Sequence, residues 1–174
     1  MKKIFLLAAL MSAYCCANAQ YNVSINFEDT ATLKYVRIDT ANHTNIWQIG
    51  KPSKIVFDSA YSATDAILTD TALPYPVNNH SSFTITIKSY DWFWGSPSWH
   101  GFYSKYDTDP GHDGGYIDVS YDGGANWQNI VFDTILNTCP TYPFSDSLPT
   151  FYNMYTATDT LKNGVPAFSG SSIG

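Results

Sequence analysis

Glutamate is almost absent from this chain of 174 residues: Glu28 is the only one, and the other 14 of the 15 acids are aspartate. Lysine and arginine together number 9, and charged residues make up 14% of the sequence against roughly 25% in a typical globular protein. Glu, Lys and Arg build exposed helix faces, so their scarcity argues against a helical protein. A formal net charge of -6 argues against nucleic-acid binding, which needs cations for the phosphate backbone. No apolar run is long enough to cross a bilayer: the longest, residues 4–13, falls well short of the roughly 20 residues a spanning helix requires. Metal-ligand spacing is missing among His43, His80, His100 and His112, and there is no H-E-x-x-H, so zinc catalysis is not expected. What the chain does have is aromatic and β-forming: 13 Tyr, 10 Phe and 5 Trp, with hydrophobic residues at 44%. Tyr, Thr, Ile and Val favour strands, while Asp, Asn, Gly and Pro punctuate turns. The composition predicts an all-β protein, and strands at the spacing of this sequence suggest an antiparallel β-sandwich.

The short apolar run belongs to a leader. Met1-Lys2-Lys3 is a positive n-region, residues 4–13 form the h-region, and Ala17-Asn18-Ala19 is an A-x-A cleavage site. The reading is a secretory signal peptide over residues 1–19 and a secreted or cell-surface β-sandwich domain over residues 20–174. Cys15 and Cys16 suggest a lipoprotein, but Tyr14 and Cys15 precede them where a lipoprotein peptidase wants a small residue, so ordinary cleavage is expected. Without the leader 7 basic residues face 15 acids, and 7 − 15 gives −8. One cysteine, Cys139, is then left, so no intrachain disulfide can form and stability falls to core packing or a bound metal.

Alternation and turn chemistry place strands at residues 21–27, 44–50, 54–57, 66–68 and 82–94, with a loop at 74–79. Further extended segments are expected at 101–106, 116–121 and 126–132. The last two bracket Asp122-Gly123-Gly124, a strong hairpin signal because a tight turn needs positive φ. Pro140, Pro143 and Pro149 mark residues 137–151 as a long loop. Residues 161–164 should turn into 165–168, after which the chain runs out. Either the last strands are missing and a sheet edge is left unpaired, or this is a frayed natural end.

Three pieces carry a family resemblance. Phe27-Glu28 closes the first expected strand. Trp47-Gln48-Ile49-Gly50 follows, then Ser59-Ala60-Tyr61-Ser62 with Asp65. The third is the run from Tyr106-Asp107-x-Asp109 through Gly114-Gly115-Tyr116-Ile117-Asp118 to Asp122-Gly123-Gly124-x-x-Trp127. Together they resemble the MAM-like jelly-roll modules of secreted bacterial proteins. They are also similar to the β-sandwich beside the catalytic domain of immune-inhibitor-A-type metallopeptidases. The cysteines of MAM modules are absent here. The resemblance implies a calcium held by Glu28 and Asp65, and a module of a surface protein exported by type IX secretion.

Read from the residues alone, other sites stand out. Asp107, Asp109 and Asp113 alternate in a Gly/Pro loop, the oxygen-rich chemistry calcium takes. The same residues could instead cap their own turns. His112 stands where an EF-hand needs its sharp-turn glycine, which rules that motif out. Ser120-x-Asp122-x-Gly124-x-x-Trp127 has the spacing of a sialidase Asp-box, a hairpin device in which the Asp ties the turn and the Trp packs beneath it. Arg37, the only arginine, leaves no cluster to bind a sialic acid carboxylate. Tyr90, Trp92, Trp94 and Trp99 either form an aromatic platform for a sugar ring or a partner protein, or lie in the core. Cys139 lacks an evident activating base, and Gly170-Ser171-Ser172-Ile173-Gly174 is a chance G-x-S-x-G with no helix after it. The expectation is a non-enzyme: an adhesion or ligand-binding module for a glycan or protein, with a structural calcium. The alternative is the accessory domain of a secreted peptidase or glycan hydrolase whose catalytic part lies elsewhere.

Overall fold

The computed structural model describes residues 23–87, 100–137 and 151–172. The chain is all-β: its strands pair antiparallel, and helix is confined to two four-residue pieces and one 3-10 turn among the described residues. It divides into two compact units, Met1–Lys88 and Ser89–Gly174.

In the first unit, β1 (Val36–Ile38) pairs with β4 (Phe83–Ile85), setting Val36 opposite Ile85 and Ile38 opposite Phe83. β2 (Trp47–Gly50) pairs with β3 (Ala66–Thr69), setting Trp47 opposite Thr69 and Ile49 opposite Ile67. The Trp47 ring meets Phe83 edge-on at 4.6 Å between centroids, and its indole N–H donates to Ser81 O at 3.2 Å. That T-shaped contact joins the two pairs through their largest side chains, the geometry aromatic quadrupoles favour.

Two expected strands of this unit are corrected. Residues 23–27 are not a strand. Asn26 Oδ1 accepts the backbone N–H groups of both Glu28 and Asp29 at 3.1 Å, and Phe27 sits at φ 64°. A side chain that satisfies its own backbone competes with ladder pairing, and here it wins. Asp29 then caps helix α1 (Thr30–Leu33) by accepting from Ala31 N. Residues 54–57 are a bend closed by Lys54 N donating to Phe57 O at 3.1 Å, with Ile55 fully exposed. Ser53 N and its hydroxyl both donate to Thr71 O, which anchors this bend to the residues after β3.

In the second unit, β5 (Asp118–Val119) and β6 (Gln128–Asn129) form the expected hairpin around the Asp-Gly-Gly turn. Beyond β6 the extended run expected to reach residue 132 becomes a 3-10 turn, Ile130–Phe132, with Asn129 as its cap, and then helix α2 (Thr134–Asn137). Residues 101–106 pair only at their end, where Asp107 bridges Ser171. The unpaired edge expected near the C-terminus has partners: Gly115 and Phe168 exchange both backbone hydrogen bonds, at 3.0 and 2.8 Å. The turn at 161–164 forms as expected, closed by Gly164 N to Leu161 O.

Phe168 anchors an aromatic cluster. Tyr155 meets it edge-on at 4.9 Å, Tyr106 at 5.4 Å and Phe102 at 6.5 Å. Tyr155 and Ala167 are 6% and 2% exposed, the buried hydrophobic side chains among the described residues. Gly114 must be glycine, since a Cβ there would collide with the carbonyl of Phe168.

Candidate functional site

The structure brings Glu28 and Asp65 together. Glu28 Oε1 accepts Thr64 N at 2.6 Å and Asp65 N at 3.2 Å, so the carboxylate clamps a turn 36 residues away in sequence. Beside it, the Ser62 hydroxyl lies 3.0 Å from Asn26 O and 2.7 Å from Asp65 O. A hydroxyl has one proton, so it serves one of these two carbonyls fully and leaves the other short of a donor. Two carbonyls, one hydroxyl and the Glu28 carboxylate therefore gather around the turn that carries Asp65. All are hard oxygens, the donor set that suits calcium.

The loop carrying Asp107, Asp109 and Asp113 is organised differently. The Ser169 hydroxyl donates to Asp113 O at 2.8 Å and accepts Gly111 N at 2.8 Å. Asp109 O accepts the N–H groups of His112 and Asp113, and Thr108 N donates to Gly170 O. The inner face of the loop is thus filled by a hydroxyl from the 169–171 segment, and the side chains of Asp107 and Asp109 lie on the exposed surface. Among the described residues, no group of three or more His, Cys, Asp or Glu side chains is placed to hold a metal.

In the segment with Asp-box spacing, the Asp122 carboxylate ties the turn. Asp122 accepts Ala125 N at 2.9 Å, Asn126 N at 3.0 Å, the Asn126 side-chain amide at 2.6 Å and the Ser120 hydroxyl at 2.8 Å. These donors, the backbone N–H and side-chain amide of Asn126 foremost, hold the carboxyl far below its ordinary value. Gly123 and Gly124 take φ 77° and 95°, and the Trp127 indole donates to Gly124 O at 2.9 Å with its ring against that glycine. Gly124 is fixed twice over, by its backbone conformation and by the ring beside it.

Other acids follow the same pattern. Asp70 accepts Ala72 N and Leu73 N, which draws its carboxyl down from the ordinary value, and Asp159 is lowered in the same way by Thr156. Asp29 and Asp39 accept the N–H of the residue two positions on. Asp133, 3% exposed, accepts the Tyr121 hydroxyl at 3.0 Å; burial and this partner push Tyr121 up to about 12. Asp118 is raised by partial burial.

A feature absent from the sequence reading is an open hollow of about 550 Å³ in the first unit. Its lining comes from two loops: His43, Thr44 and Ile46 on one, and Pro76, Val77, Asn78, Asn79 and His80 on the other. The Asn79 amide donates to Thr44 O at 2.7 Å and holds the loops together. Asn78 takes φ 56°. Asn42 fixes the first loop by accepting the Thr44 N–H and hydroxyl. The signal in the sequence was the pair of segments Asn42-His43-Thr44 and Asn78-Asn79-His80, but they come together only when β2 and β4 are placed.

The proposed platform residues Tyr90, Trp92, Trp94 and Trp99 lie outside the described residues, as do Cys139, the leader and the loop at 138–150. No helix among the described residues is long and apolar enough to cross a membrane. Comparison with known proteins finds no matching family model, no matching curated protein and no matching solved structure.

Proposed function

We propose that this chain is a non-catalytic, exported β-sandwich module of the MAM-like kind that binds a neutral ligand, a glycan or an uncharged protein surface. The observation that carries the reading is the lining of the hollow. Imidazole, amide and hydroxyl groups alternate there with Val77, Pro76 and Ile46, and no carboxylate takes part. Such a surface offers hydrogen bonds to hydroxyl groups and apolar contact to a sugar ring. It does not offer the carboxylate pair with which glycosidases work. The carboxylates described above are held by backbone N–H groups, which suits a role in building turns.

A calcium ion at the Glu28–Asp65 turn belongs to the same proposal. Glu28 and Asp65 would supply carboxylate oxygens, with Asn26 O, Asp65 O and the Ser62 hydroxyl beside them. The ion would bind the folded chain alone and stabilise it by mass action, by about 2.7 kcal/mol at a concentration one hundred times its dissociation constant. A rise in melting temperature with calcium and a fall with chelator is expected, and no response to either removes the ion from the account. The Glu28→Gln variant keeps an acceptor oxygen for the turn and loses the charge, so it should fold but lose the calcium response.

The binding claim is tested on a glycan array with the wild-type protein and with His43→Ala and His80→Ala variants. Retention on neutral glycans that both variants lose, with unchanged circular dichroism, is the expected result. Binding that survives both substitutions and disappears in a Trp92→Ala, Trp94→Ala double variant moves the site to the aromatic segment. Turnover of a glycan or peptide by the purified chain contradicts the non-catalytic reading.

A further inference from the structure

One tripeptide recurs through the chain: aspartate, then a hydroxyl residue, then Ala, Ile or Leu. Among the described residues the hydroxyl position is Thr30, Thr40, Ser59, Thr71, Thr134 or Thr160, and a further copy, Asp146-Ser147-Leu148, lies outside them. Half of the 14 aspartates therefore open such a tripeptide. The copies occur in both units and in different local structures. Thr30 begins a helix, Thr40 and Thr71 follow strands, and Ser59 follows a bend. A shared fold position does not explain the repetition.

The aspartate has a structural task in three copies. Asp29, Asp39 and Asp70 accept the N–H of Ala31, Ala41 and Ala72 at 2.9, 3.1 and 2.8 Å. That turn uses the carboxylate and the N–H two residues on, and the residue between them contributes nothing to it. Yet the residue between is a threonine each time. The Thr30, Thr40 and Thr160 side chains are exposed, and their hydroxyls have no hydrogen-bond partner among the described residues. Ser59 and Thr134 are exposed as well, Ser59 donating to the neighbouring Asp58 carboxylate at 3.0 Å, and Thr71 is half-buried with one long contact, 3.5 Å to Gln48. A hydroxyl kept at one place in a recurring triplet, and in Thr30, Thr40 and Thr160 held outward without a task in the turn, has the properties of an acceptor for a transferred group.

We infer that these hydroxyls are O-glycosylation sites, and that the transferase reads the aspartate before each hydroxyl and the small or apolar residue after it. The reaction is a glycosyl transfer from an activated sugar, a sugar joined at its anomeric carbon to a nucleoside diphosphate or lipid phosphate. The Thr or Ser oxygen forms the new bond to the anomeric carbon. The bond from that carbon to phosphate breaks, the phosphate leaves with its electron pair, and the hydroxyl proton passes to a base of the transferase. A sugar fits these positions better than a phosphate group. Each hydroxyl follows a carboxylate, and a dianion there would be repelled in a chain whose formal charge is already -6. A sugar adds no charge and supplies polar cover where charged residues are few. Leu73 and Ile135, 64% and 59% exposed, lie within two residues of Thr71 and Thr134 and would be shielded first.

The test is intact-mass and fragmentation mass spectrometry of the protein recovered from the cells that make it, with the same chain made by cell-free translation as the unmodified reference. The expected result is a heavier protein whose excess maps as sugar onto hydroxyls from this set. Thr44, after His43, and Ser120, after Val119, should be bare. In an Asp39→Ala variant Thr40 alone should lose its sugar, the other sites serving as the internal control for folding and export. A mass equal to the reference, sugars on hydroxyls without a preceding aspartate, a phosphatase-labile group, or an Asp39→Ala variant still modified at Thr40 would each overturn the inference.

Discussion

Removing one oxygen atom from Tyr155 tests the heart of the second unit. Its hydroxyl accepts Ile117 N at 2.9 Å and lies 3.1 Å from Asn129 Oδ1. The ring below stands edge-on to Phe168. In Tyr155→Phe the ring contact stays and the hydroxyl goes. Asn129 Oδ1 still accepts Val131 N, so it keeps a partner. Ile117 N–H does not, because Tyr155 is its acceptor and the site is only 6% exposed. Stranding one buried donor costs about 1–3 kcal/mol. Tyr155→Ala removes the ring as well and leaves a cavity, for about 3–5 kcal/mol. The assay is urea unfolding followed by near-ultraviolet circular dichroism, which reports the Tyr155–Phe168–Tyr106 cluster. Tyr155→Phe should sit between wild type and Tyr155→Ala, with the m-value unchanged. A phenylalanine variant as stable as wild type would show that Ile117 N–H finds water or another acceptor. Equal losses in the two variants would show that the ring contributes nothing and would refute the cluster as core.

Three further outcomes follow from the same geometry. Gly114→Ala pushes a methyl group into Phe168 O and should break the Gly115–Phe168 bridge, costing about 1–3 kcal/mol in the same urea assay; a variant as stable as wild type would contradict that close approach. Tyr121 is raised from 10.0 to about 12 in the folded state, so its contribution is full below pH 10 and lost as pH climbs towards 12. Tyr121→Phe should therefore flatten the alkaline end of a stability–pH curve, and an unchanged curve would remove the Asp133 partnership. Glu28→Ala frees the N–H groups of Thr64 and Asp65 and should lower stability by about 1 kcal/mol without calcium, while Glu28→Gln keeps most of it; hydrogen exchange at the two amides reads the difference directly.

What the sequence disclosed and what it hid divide along a physical line. The hairpin around Asp122-Gly123-Gly124 was readable because every bond that makes it lies within a few residues, from Ser120 to Trp127. β2 and β3 were readable from their apolar runs. The strands expected at 21–27 and 54–57 are not formed at 23–27 and 54–57, because Asn26 and the Lys54–Phe57 bend offer the backbone a local alternative that alternation does not register. β1 escaped notice because three residues, Val36-Arg37-Ile38, are too few to establish a period. The partnership of Glu28 with the 64–65 turn came from the family resemblance. Its form, a carboxylate gripping backbone N–H groups, was not visible, because side-chain direction depends on the φ of Phe27. The hollow between residues 43–46 and 76–80 joins loops more than thirty positions apart, and nothing local announces such a meeting.

The central claim is that aspartates hold the turns of this framework by accepting backbone N–H bonds. The most direct measurement is carboxyl-carbon NMR titration of the folded protein, following Asp70, Asp122 and Asp159. A carboxyl lowered in the folded state adds stability that is present above its unfolded value and is lost as pH falls through its folded one. The account expects all three to titrate below the ordinary aspartate value of 3.8, Asp122 lowest of all, with unfolding setting in as they protonate. Three carboxyls titrating together at 3.8 in a folded chain would mean that the turns stand without them, and the account would be wrong.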